Sequence, residues 1–107
     1  MTDLILLLQA DSDIQAAFDR YENYQPGRGE LFLRQLDAAF TLLRRHPEIA
    51  PVYAEPYRRM LIRDFPYGIF YQNQPTHITV AAVMDLRQNP RSLRRKLLGP
   101  QGREQEP

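Results

Sequence analysis

Tyr57-Arg58-Arg59-Met60-Leu61-Ile62-Arg63-Asp64-Phe65-Pro66-Tyr67-Gly68-Ile69-Phe70-Tyr71 is the stretch on which the fold turns. Over residues 57–63 the side chains alternate with a period of two. Arg58, Met60 and Ile62 share one face, while Tyr57, Arg59, Leu61 and Arg63 share the other, as in a strand. Asp64-Phe65-Pro66 turns the chain. Residues 67–72 are rich in aromatic and β-branched types and predict a second strand.

Downstream, Asn73 to Thr76 supply a turn. Residues 77–84 are nearly all apolar, which predicts a strand central in its sheet. Asn89-Pro90 reads as the cap and first position of a final helical turn. There Leu93 and Leu97 share a face, surrounded by Arg91, Arg94, Arg95 and Lys96. Residues 99–107 are polar with Gly and Pro and are expected to be a disordered tail beyond a single domain of residues 1–98.

Upstream, the pattern is helical. Phe32, Leu36, Ala39, Phe40 and Leu43 line one face of a helix expected from about Glu30 to His46. Arg44, Arg45 and His46 suit the negative end of its dipole, and Pro47 ends it. An earlier helix is expected from Ser12, whose spacing to Gln15 is that of a capping box. Ile14, Ala17, Phe18 and Tyr21 form its apolar stripe. Pro26-Gly27-Arg28-Gly29 turns the chain between the two, making an antiparallel hairpin. The apolar run at residues 2–8 predicts a buried first strand. The prolines 47, 51 and 56 mark a connector. The predicted order is β-α-α-β-β-β, an α+β domain with a helical hairpin packed on a small twisted antiparallel sheet.

A chain of 107 residues with 43% hydrophobic and 25% charged residues is ordinary for one globular domain and unlike a disordered one. There are no cysteines, so disulfides and thiolate metal sites are excluded and a reducing compartment is expected. The longest apolar run, Leu4 to Leu8, falls far short of the ~20 residues of a membrane helix. It has no basic residue before it and no cleavage pattern after it, so a cytoplasmic location without a secretion signal is expected. Two isolated histidines, His46 and His77, with scattered carboxylates show no metal-ligand spacing, and no glycine loop for a nucleotide occurs. No cofactor is expected.

The formal net charge of +1 conceals a division. Residues 1–56 carry nine acids against five arginines, whereas residues 57–107 carry nine basic residues against four acids. All fourteen basic residues except Lys96 are arginine, which suits bidentate recognition of carboxylates or phosphates. The C-terminal half therefore suggests an anionic partner, nucleic acid or an acidic protein segment.

The stretch Tyr57–Tyr71, with its arginines, apolar run, Phe65-Pro66-Tyr67 and aromatic strand, resembles the centre of RelE/ParE superfamily toxins. Ala82-Val83-Met84-Asp85-Leu86-Arg87-Gln88-Asn89-Pro90 is similar to that family's V-x-x-x-R-x-[DN]-P strand end. Tyr21 and Tyr24 before Pro26-Gly27 fit as well, and the likeness spans roughly residues 3–92. The resemblance implies the toxin half of a type II toxin–antitoxin module, forming a hetero-oligomer with a cognate antitoxin. In the ParE branch it implies inhibition of DNA gyrase. In the RelE branch it implies a ribosome-dependent ribonuclease acting on messenger RNA.

Cutting RNA without a metal needs a base, an acid and cations for the phosphorane. Arg59, Arg63 and Arg87 offer the cations. RelE-type nucleases place an arginine roughly where Gly68 stands and an aromatic or histidine acid/base late in the chain. Here Asp85 and Leu93 occupy that neighbourhood, and no Tyr or His follows His77. The reading favoured is a ParE-like inhibitor that acts by binding and has no catalytic residue. Arg58, Arg59, Leu61, Arg63, Arg87, Arg91, Arg94 and Arg95 are its candidate partner-binding residues. Phe65, Pro66 and Tyr67 are read as core. A module that binds an antitoxin without being toxic is the third alternative.

Overall fold

In the computed structural model, which describes the backbone of residues 1–104 and the side chains of residues 1–99, the elements are β1 (Asp3–Leu6), α1 (Leu8–Tyr24), α2 (Arg28–Arg45), β2 (Val52–Ala54), β3 (Tyr57–Leu61), β4 (Tyr67–Asn73), β5 (His77–Asp85) and α3 (Pro90–Glu104). Of the expected tail, residues 99–104 fall within α3 and residues 105–107 lie outside the described residues. The strands form one sheet in the order β1-β5-β4-β3-β2. Three of its pairings are antiparallel, but β1 runs parallel to β5, with Asp3 opposite His77 and Leu6 opposite Val80. The sheet is thus mixed rather than purely antiparallel.

The alternation read in residues 57–63 is the alternation observed. Met60 and Ile62 face the core beneath the helices, where Ile62 is buried. Tyr57 faces the other side of the sheet, against Phe70, Ala82 and Met84. β3 ends at Leu61, two residues early. The Ile62 N–H still donates to the Tyr67 carbonyl, but Asp64 at φ 69 bends the chain into the turn. Phe65 and Tyr67 are core residues, as expected: with Tyr21 and Phe32 they make a cluster of edge-on rings, closed by the Arg28 guanidinium 5.2 Å from the Phe65 ring centre. Such pairs contribute ~0.5–1.5 kcal/mol each beyond burial.

α1 and α2 cover one face of the sheet. Ala10, Ala17, Phe32, Leu36, Ala39 and Leu43 are buried against Ile69, Tyr71, Ile78, Val80 and Val83. α1 starts at Leu8, four residues before the predicted cap, and Ser12 lies exposed in its interior without capping anything. The cause is β1: the Leu7 N–H bonds to the Val80 carbonyl, and the Leu7 carbonyl then receives the Asp11 N–H. Strand passes to helix with no loop in which a serine cap is needed. At the hairpin, Gly27 adopts φ 89, which a side chain rarely tolerates. The Glu22 carboxylate accepts hydrogen bonds from the Gly27 and Gly29 N–H groups at 2.9 and 3.0 Å. A side chain from the preceding helix therefore caps α2.

Two other expectations are corrected. The first strand is an edge strand, not a buried one. Leu4 is half-buried, but Ile5 and Leu6 are exposed, as are Leu7 and Leu8 beyond them. With one neighbour only, an apolar strand keeps much of its surface open. The proline-rich connector also contains a strand, β2, which closes the opposite edge between Pro51 and Pro56, where a missing N–H costs no ladder bond.

α3 lies on the face of the sheet away from the hairpin. The Asn89 carbonyl and side-chain oxygens accept from Leu93 N–H and Arg91 N–H, so the predicted cap is formed. Leu93 and Leu97 are buried with Phe70, Ala82 and Met84. The helix is longer than the single turn expected, with a kink at Gly99 (φ 67).

Candidate functional site

The polar residues of the fold converge where β5 ends. Asp85 is the buried charged residue there, and two arginines from separate parts of the chain hold its carboxylate. Arg87 binds it from its own backbone N–H (2.9 Å), from Nε (3.0 Å) and from Nη2 (2.7 Å). Arg20, reaching across from α1, donates to Asp85 Oδ2 and to the Tyr67 hydroxyl, both at 3.3 Å. The Arg87 hydrogen bonds hold the Asp85 carboxyl below the usual carboxylate range against the opposing effect of burial. Burial pushes the Tyr67 and Tyr21 hydroxyls above theirs.

Chemically, the cluster holds a fixed carboxylate between two cations. An acid or base works best with a pKa near the operating pH. Asp85 is moved away from neutrality in one direction and the tyrosines in the other. Beside the cluster, β5 continues past the end of β1, and the Asp13 carboxylate takes the Val83 N–H at 3.0 Å in place of a strand neighbour. A cleft of about 560 Å³ lies here, its polar wall formed by Gln9, Asp13, Arg20, Asp85, Arg95 and Lys96.

The eight candidate residues fall into separate places. Arg58 is occupied internally: its Nη1 donates to the Ala50 carbonyl at 2.6 Å and ties the connector to β3. Arg59 lies on the opposite face, its guanidinium 4.8 Å from the Tyr53 ring centre. Leu61 is 60% exposed, and Arg63 is exposed in the following turn. Arg87 is spent on Asp85. Arg91, Arg94 and Arg95 are exposed on α3.

Gly68 links the first group to the end of β5. A Cβ at Gly68 would meet Leu86 Cδ2 at 3.1 Å and Arg59 Cγ at 3.2 Å. The bare glycine lets these two side chains close over β4, and the place a long basic side chain would need is filled. Of the residues that build the Asp85 cluster, Arg20, Asp13 and Tyr67 were not among the sequence candidates. Arg20 and Asp13 sit on the polar side of an amphipathic helix, and their partners lie 65 and 70 residues away. Among the described residues there is no group of three or more His, Asp or Glu placed to hold a metal, and no helix long and apolar enough to cross a membrane.

A helical hairpin on a small mixed sheet, with a third helix on the far face and arginines exposed beyond β3 and on α3, defines a class of small α+β domains. Residues 4–95 match the family described as ParE toxin of type II toxin-antitoxin system, parDE, and the chain belongs to that family. The fold is similar to that of a chain from the chromosomal ParDE TA system from P. aeruginosa, with a TM-score of 0.72 and 14% identity, over 80% of this chain and 97% of that one. No curated protein matches at the level of sequence.

Proposed function

We propose that this toxin acts by binding, inhibits DNA gyrase in the cytoplasm, and is neutralised by a cognate antitoxin that covers the outer face of β3. The observation that carries this reading is the surface at Leu61. A large apolar side chain, 60% exposed, ends β3 between Arg59 on that strand and Arg63 in the turn after it, with β4 paired alongside. Apolar area flanked by arginines is the composition of a protein interface, in which arginine is enriched at the residues that matter most. The locked Asp85 cluster and the filled space above Gly68 weigh against RNA cleavage.

The test is a gyrase supercoiling assay with purified protein, with and without the product of the adjoining gene. Loss of supercoiling or accumulation of cleaved DNA, reversed by that product, is the expected result. Unaffected gyrase together with cleavage of ribosome-bound messenger that disappears in Arg87→Ala would replace this reading with the ribonuclease one. Harmless expression without the partner would favour the non-toxic module.

A further inference from the structure

Among the described residues, no acid forms an ion pair with the basic residues of α3. Leu93 and Leu97 anchor the helix to the sheet, while Arg91, Arg94, Arg95 and Lys96 are exposed. Residues 86–99 contain five basic residues, Arg87 included, and no acid. The carboxylate that precedes them, Asp85, is already held by Arg87 and Arg20. Arg91 stands three and four residues from Arg94 and Arg95, so the three share one side of the helix. Lys96 is tied to the Gln88 side chain and flanks them.

We infer that α3 is a contact for double-stranded DNA, its arginines gripping the phosphates without reading the bases. Three features select this partner. The cations are mostly arginine, whose planar fork suits phosphate oxygens. They are exposed on a helix that covers the sheet face away from the hairpin, and a helix of ~10–12 Å diameter enters a B-form major groove of ~12 Å, whereas the deep, narrow major groove of duplex RNA excludes it. Residues 86–99 carry no aromatic side chain on which a single strand would stack. This contact stands apart from the gyrase reading, because it requires only the toxin and DNA.

The experiment is fluorescence anisotropy with a labelled 20-base-pair duplex, titrated at several salt concentrations in the absence of gyrase. Three or four phosphate contacts give a slope of log affinity against log salt of about −2.7 to −3.6. Affinity therefore falls ~40- to 150-fold between 50 and 200 mM salt. The triple variant Arg91→Ala, Arg94→Ala, Arg95→Ala keeps helix-forming residues and is expected to keep its circular dichroism spectrum. Its binding drops at least tenfold and its slope shrinks by about 2.7, while Arg34→Ala on α2 binds like the parent. Duplexes of unrelated sequence bind alike. The inference is overturned by no binding at 50 mM salt, by a folded triple variant that binds like the parent, or by equal binding of a single strand or of duplex RNA. Displacement of the duplex by a polyglutamate peptide at equal charge concentration overturns it too, since the helix would then be an acidic-protein surface.

Discussion

Asp85 is surrounded by its own neighbours: two guanidinium groups supply three hydrogen bonds, the Arg87 backbone N–H a fourth, and the side chain keeps 12% of its surface exposed. Its pKa is lowered in the folded state, chiefly by the Arg87 hydrogen bonds. The stability it contributes is therefore complete above the ordinary carboxylate pKa and is lost as pH falls through the lower folded value. Asp85→Ala is expected to lower the free energy of unfolding by ~1–3 kcal/mol at neutral pH. Asp85→Asn should flatten the acid limb of the stability profile; urea titrations from neutral to acid pH measure both, and an unchanged limb would refute the assignment. Tyr71 offers a simpler case. It is fully buried, and its hydroxyl donates to the Pro47 carbonyl at 2.8 Å, pinning the connector after α2. Tyr71→Phe leaves that carbonyl without this donor and is expected to cost about 1 kcal/mol, read as a lower urea midpoint with an unchanged m value.

Among the elements, α3 is the least anchored. Two leucines hold it to the sheet, so Leu97→Ala is expected to release the helix before it unfolds the domain. Hydrogen exchange should accelerate in residues 91–98 while β4 and β5 stay protected; equal loss in all three would show α3 to be part of the cooperative core. This docking was legible in the sequence, because Leu93 and Leu97 lie one helical turn apart among cations. The hairpin and β3 to β5 were legible for the same reason: periods of 3.6 and 2 report which face is covered. β1 was legible as a strand but not as an edge, since the run Leu4–Leu8 has no period, and composition does not say how many neighbours a strand will have. β2 is three residues between prolines and carries no pattern at all. Of the candidate residues, alternation was enough to put Arg59 and Leu61 on the face away from the hairpin, whereas Arg58's backbone-carbonyl partners depend on how the connector folds back.

For the molecule as a whole, the two sheet faces divide the labour. The hairpin side is a closed core, whereas the far side carries α3 and, next to it, the open surface of β3. A substitution at Leu61 should therefore separate stability from recognition. Leu61→Asp is expected to change stability by no more than about 0.5 kcal/mol. It should weaken the antitoxin complex at least tenfold, about 1.4 kcal/mol, measured by calorimetry on the purified pair. Full affinity in a folded Leu61→Asp protein would move the antitoxin to another surface.

The parallel pairing of β1 with β5 has a consequence in time. A ribosome releases β1 first, yet the strand on which it lies is the last of the sheet to be made. β5 also stands between β1 and β4, so nothing joins β1 to the rest of the sheet until residue 85 has emerged. Such long-range pairing is slow and pays its loop entropy before any contact repays it. The edge that β1 forms therefore stays unpaired while the hairpin and the β2–β3–β4 ladder are made, and closes only after β5 follows them.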